Sequence, residues 1–142
     1  MINKGLFSSN NDEWETPKDL FNKYNDIYNF TVDLCASDTN YLCNKYFTKS
    51  NTCFNQLIFN ESIWCNPPYG RKIKDFVKYC YDLSKVNRVV VALLPSRTDT
   101  SWFHDYIYGK SNIIFLRGRL KFSNSKNSAP FPSMIVIFRS NY

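Results

Sequence analysis

Histidine is nearly absent from this 142-residue chain, with His104 its single example, and the five cysteines (Cys35, Cys43, Cys53, Cys65, Cys80) form no C-x-x-C pair. Structural zinc needs four such donors at short spacings, so the composition argues against a zinc site. An odd number of thiols without a pairing pattern suits reduced cysteines. None stands at a recognisable spacing from a histidine, so a catalytic thiol is not indicated. Also missing is any apolar run near the ~20 residues that cross a bilayer. The opening Met1-Ile2-Asn3-Lys4-Gly5 has no apolar signal-peptide core. The expected location is cytoplasmic, with no metal and no membrane partner. No segment repeats.

What is present suits a core-forming protein: 44% of residues are apolar and 18% aromatic. The length suits one domain spanning 1–142, with 1–12 flexible and no separate target-recognition domain. Charge divides unevenly along the chain. Residues 1–70 carry 5 basic and 8 acidic side chains, whereas 71–142 carry 13 basic and 4 acidic, within a net charge of +6. A basic half fits either a polyanionic partner or a solvated surface.

The pattern predicts alternating helices and strands. Glu15-Thr16-Pro17 reads as a helix start, with Thr16 as N-cap and Pro17 at the first helical position. Leu20, Tyr24 and Ile27 would form its buried face. Strands are expected at 30–34, 62–65, 88–94, 113–116 and 134–138. Helical stripes are expected at Ile73, Phe76, Val77 and Cys80, and again at Trp102, Phe103, Tyr106 and Ile107. The run from Val89 to Leu94 reads as a central parallel strand, buried on both faces. The last two strands follow each other without a helix. The sum is an α/β fold, a mostly parallel sheet with a C-terminal antiparallel hairpin. Ligands of such sheets bind beyond the strand carboxyl ends. Three polar segments would meet there: Asp33 to Asp38, Asn66 to Tyr69 and Ser96 to Asp99.

Asn66-Pro67-Pro68-Tyr69 is the most telling of these. Two consecutive prolines fix φ and offer no N–H, so the backbone is stiff and presents carbonyls only. Each residue before a proline is pushed toward an extended conformation. A strand ending this way would present the Asn66 amide oxygen and the Pro67 carbonyl as two acceptors, matching the two donors of an exocyclic amino group. Tyr69 adds an aromatic face for a planar ring.

This tetrapeptide is similar to the catalytic signature of methyltransferases that use S-adenosylmethionine to methylate amino groups, chiefly of adenine. The order Glu15-Thr16-Pro17, Asp33-Leu34-Cys35-Ala36-Ser37, Asn66-Pro67-Pro68-Tyr69 extends the likeness. So do Leu94-Pro95-Ser96-Arg97-Thr98-Asp99, Gly118-Arg119-Leu120-Lys121-Phe122 and Ala129-Pro130-Phe131-Pro132-Ser133. Over residues 12 to 139 the chain resembles the small phage-type DNA N-6-adenine methyltransferases of the Dam group. The resemblance implies a Rossmann-like fold, S-adenosylmethionine as cofactor and DNA as partner. It assigns catalysis to Asn66, Pro67, Pro68 and Tyr69. It assigns the cofactor to Thr16, Pro17, Asp33, Ala36, Ser37 and Asn66, and DNA to Tyr69, Arg97, Arg119 and Phe122, with Phe131 an alternative aromatic wall.

Two departures bear on the cofactor. The loop Ala36-Ser37-Asp38-Thr39-Asn40 has no glycine where relatives are glycine-rich, and Lys45-Tyr46-Phe47-Thr48 has no acid for the ribose hydroxyls. A looser or different grip on the cofactor is the expectation. Alternative readings keep the chemistry on RNA bases or protein glutamine, or keep nucleic-acid binding and lose catalysis.

Overall fold

A computed structural model describes residues 13–140; the flexibility expected of 1–12 concerns residues outside that range. In chain order the elements are α1 (Lys18–Tyr28), β1 (Val32–Asp33), β2 (Lys45–Tyr46), β3 (Ser62–Cys65), α2 (Ile73–Leu83), β4 (Val89–Pro95), α3 (Ser101–Tyr106), β5 (Asn112–Phe115) and β6 (Ser133–Phe138). The six strands form one sheet in the order β2-β1-β3-β4-β6-β5. Pairing is parallel from β2 through β4. Strand β6 runs antiparallel to both its neighbours, β4 and β5.

The uninterrupted apolar run of β4 suits a position with sheet on both sides, and all seven of its residues are buried. It is central as expected, but only its β3 side is parallel. The antiparallel β5–β6 pair is also as expected, though it is no simple terminal hairpin. The connection 116–132 carries the chain past β5 and inserts β6 between β4 and β5, with Ser133 registered against Pro95.

Alternation along β3 fixes the layers, because successive strand residues face opposite sides. Trp64 meets Phe21 of α1 edge to face, with centroids 5.4 Å apart. Cys65 meets the thiol of Cys80 on α2. Helices α1 and α2 therefore cover opposite faces. Helix α3 joins α2, where Tyr106 packs on Tyr81.

Two sequence expectations need correction here. Strand β1 covers only Val32–Asp33, because the Asp33 carboxylate accepts from Cys35 N and Leu42 N and turns the chain away from the sheet. In α1 the buried residues are Phe21 and Tyr24, while Ile27 is 61% exposed. The stripe is rotated toward the aromatics Phe30 and Trp64, both of which Phe21 meets.

Candidate active site

Strand β3 delivers its last residue, Cys65, directly into Asn66-Pro67-Pro68-Tyr69. Gly70, at φ 134°, then turns the chain into α2, a conformation that a side-chain-bearing residue rarely adopts. Beside this corner lies a cavity of about 970 Å3, within the range usual for small-molecule sites. Its walls come from the N-terminal segment Glu13–Thr16, the loop after β1, the loop after β3, and Phe54 and Phe76. The structure thus gathers Thr16, Asp33, Ala36, Ser37, Asn66, Pro67, Pro68 and Tyr69 around one space. Pro17, Arg97, Arg119 and Phe122 do not line it, and neither does the segment Ser96 to Asp99, although it follows the end of β4.

Asn66 is held by its nitrogen. Nδ2 donates to the Trp14 carbonyl and, at 3.0 Å, to Thr16 Oγ1. Its Oδ1 is buried with no hydrogen-bond partner among the described residues. An orphaned buried acceptor costs free energy on the order of 1–3 kcal/mol, so native proteins keep few of them. The two-acceptor corner expected from the diproline is therefore half visible: the amide oxygen is free for a donor.

Thr16 does not cap the helix. Pro17, with ψ 129°, occupies the N-cap position, and no side chain caps α1. The Thr16 hydroxyl turns instead toward Asn66. Asp33 is 3% exposed, and burial pushes its carboxyl up to about 6 against the lowering effect of the Leu42 and Cys35 N–H groups.

The missing glycines have a structural explanation. Ser37 and Asn40 close the loop on each other through paired backbone hydrogen bonds and through Asn40 N to Ser37 Oγ. No residue from 34 to 42 has positive φ, so none requires glycine. Past β2, where no acid stands, the hydroxyl-bearing Thr48 and Thr52 line the cavity.

Tyr69 is less open than a stacking platform would be. It is 4% exposed and its hydroxyl donates to the Leu93 carbonyl at 3.0 Å. Phe122 and Phe131 meet its ring edge-on, and Trp14 packs against both phenylalanines. Phe122, expected as an aromatic wall, is fully buried in this cluster. Arg97 and Arg119 are exposed, and neither joins an ion pair among the described residues.

Sequence reasoning missed Trp14, Phe54, Phe76, Arg71 and Lys72 as cavity residues. Arg71 and Lys72 were the most findable, directly following the diproline corner. Trp14 contributes a backbone carbonyl, and no side-chain pattern announces that.

A family model described as DNA N-6-adenine-methyltransferase (Dam) matches residues 4–141. The chain belongs to that family. Membership implies DNA adenine N6-methyltransferase activity, with DNA as substrate. A comparison with curated proteins finds no match. Dam-type enzymes are methyltransferases, which generally draw the methyl group from S-adenosylmethionine, and the cavity suits that molecule. It sets a buried carboxylate, Asp33, among the apolar Leu34, Leu42 and Phe54, with the orphaned Asn66 oxygen alongside. Among the described residues no group of histidine, cysteine or acidic side chains is disposed to hold a metal, and no helix is long and apolar enough to cross a membrane.

Proposed function

We propose that this chain is a site-specific, adenine-specific DNA methyltransferase of phage or prophage type, built on a Rossmann-like fold. In this reading Asn66, Pro67, Pro68 and Tyr69 form the catalytic corner. The observation that carries it is the Asn66 amide, with both hydrogens engaged and its oxygen free at the end of β3.

S-adenosylmethionine, when bound, supplies an electrophilic methyl group on a sulfonium. Asp33 and the Ala36–Ser37 loop would hold it, with Leu34, Leu42 and Phe54 as apolar walls. The first-turn N–H groups of α1, next to Thr16 and Pro17, favour a carboxylate. The protein's own part in the chemistry is positioning and electrostatics. Asn66 Oδ1 and the Pro67 carbonyl accept from the 6-amino group of adenine. That would draw its lone pair out of conjugation with the ring and toward the methyl group; as the N–C bond forms and the methyl–sulfonium bond breaks, the amino nitrogen would shed one of its two protons. A target base must leave the duplex stack, at a cost of roughly a few kcal/mol. Contact with Tyr69 would offset part of this, once Trp14, Phe122 and Phe131 make room. Arg97 and Arg119 would meet phosphates.

Tritium-labelled S-adenosylmethionine tests the reading against DNA, RNA and protein acceptors. The expected result is label at adenine N6 of DNA, reduced about 100-fold or more by Asn66→Ala, the order of loss for one preorganised polar contact. Label confined to RNA or protein, or undiminished transfer by the variant, overturns it.

A further inference from the structure

We infer that Thr16 is a positioning residue for the reaction, holding the Asn66 amide in place with its oxygen toward the substrate. The inference rests on the catalytic reading of Asn66 and adds a residue to it. An asparagine amide is nearly symmetric in shape, but its two ends have opposite hydrogen-bonding character. Turned by 180°, Asn66 would offer N–H donors to an amino group that is itself a donor, and the clasp would fail. Something must select the orientation.

The Trp14 carbonyl does so, because it can only accept, while the Thr16 hydroxyl, able to donate or accept, steadies the amide from its second side. The Trp14 carbonyl takes one Nδ2 hydrogen, and Thr16 Oγ1 takes the other at 3.0 Å. In the reverse orientation Oδ1 would oppose the Trp14 carbonyl oxygen, an acceptor facing an acceptor. The Thr16 hydroxyl is not otherwise committed, because it makes no capping bond to α1. Its residue is buried, at 7% exposure. Pro17 disfavours a helical conformation at Thr16, which keeps the segment extended beside the end of β3.

The segment is in turn pinned from its other side. Ser123 N donates to the Glu15 carbonyl at 2.9 Å and Ser123 Oγ to the Thr16 carbonyl at 3.0 Å. Asn124 brackets the same stretch, accepting from Glu15 N and donating to the Glu13 carbonyl. The loop between β5 and β6 thereby locates the two groups that hold the amide after β3.

Thr16→Val keeps the shape and removes the hydroxyl; Thr16→Ser keeps the hydroxyl. Thr16→Val is expected to lower kcat about tenfold, the effect of one lost positioned hydrogen bond, with KM for S-adenosylmethionine and DNA nearly unchanged. Thr16→Ser is expected to restore most of kcat. A second readout needs no turnover: the side-chain amide resonances of Asn66 in 15N–1H spectra, assigned by their loss in Asn66→Ala. In Thr16→Val one of the two proton resonances should move upfield and exchange faster with solvent, and in Thr16→Ser it should return. Unchanged Asn66 resonances in Thr16→Val overturn the inference. So does a rise in KM for S-adenosylmethionine at constant kcat, which would assign Thr16 to the cofactor. Failure of the underlying reading looks different, because Asn66→Ala would then retain transfer whatever Thr16 does.

Discussion

Asp33 combines a structural task with a proposed ligand-facing one, and its titration separates them. Its carboxylate accepts from Leu42 N at 3.0 Å and Cys35 N at 3.3 Å, yet burial dominates and raises the carboxyl to about 6. In the unfolded chain an aspartate titrates near 3.9, at about its reference value. Between about pH 4 and pH 6 the folded protein therefore holds a proton that the unfolded chain has released. Stability falls as pH rises through this window, by roughly 3 kcal/mol at most from this residue, and is flat above it. Denaturant titrations of the ligand-free protein should show this fall, and Asp33→Asn should lack it whatever its own stability. A bound cation such as the amine of the proposed cofactor favours the ionised form. Affinity for S-adenosylmethionine should then grow about tenfold from pH 5 to pH 7, as measured by calorimetry. An equal gain in Asp33→Asn would move the proton to another group.

At the level of elements, the turn from α2 into β4 rests on one asparagine that the sequence does not advertise. Asn87 Nδ2 donates to the Leu83 and Ile58 carbonyls, both at 2.9 Å, and Oδ1 accepts from Glu61 N at 2.9 Å. It joins the end of α2, the approach to β3 and the start of β4. Asn87→Ala would leave the Ile58 carbonyl and the Glu61 N–H without partners, and the Leu83 carbonyl with Val86 N alone, a loss of roughly 2 kcal/mol, read as a lower denaturation midpoint at constant m-value. The same contrast explains what was legible beforehand. Strands β3, β4 and β6 and helix α2 carry their period or apolar run in contiguous residues, so they could be read locally. The Asn66 corner was readable because prolines constrain the chain wherever they occur. Strands β1 and β2, two residues each, depend on neighbouring strands rather than on their own composition. The insertion of β6 between β4 and β5 is a choice of the whole sheet. Thr16 looked like a cap because its type and its place before Pro17 suit one; its partner, Asn66, lies 50 residues away.

Across the whole molecule, the uneven charge becomes a geometric feature. Because β6 runs antiparallel, the connection 116–132 shares an edge of the sheet with the loops that follow β3 and β4. These loops hold Arg71, Lys72, Arg97, Arg117, Arg119, Lys121 and Lys126, against a single acid, Asp99. All seven basic residues are exposed. Arg71 and Lys72 reach the cavity, whereas Arg97 and Arg119 stand outside it. The outer pair therefore suits phosphates flanking the target base rather than the reacting group. Neutralising a phosphate releases condensed counterions, so each contact adds about 0.9 to the slope of log affinity against log salt for duplex DNA. Replacing both Arg97 and Arg119 with alanine should lower that slope by about 2. KM for DNA should rise in low salt, while kcat at saturating DNA stays within about twofold, because the catalytic corner is untouched. Initial rates over a salt series, for the native chain and the double variant, provide the measurement. Parallel lines of equal slope would mean that DNA does not run across these loops. The basic track would then lie elsewhere on the second half of the chain, away from the edge where the amide oxygen of Asn66 waits for a donor.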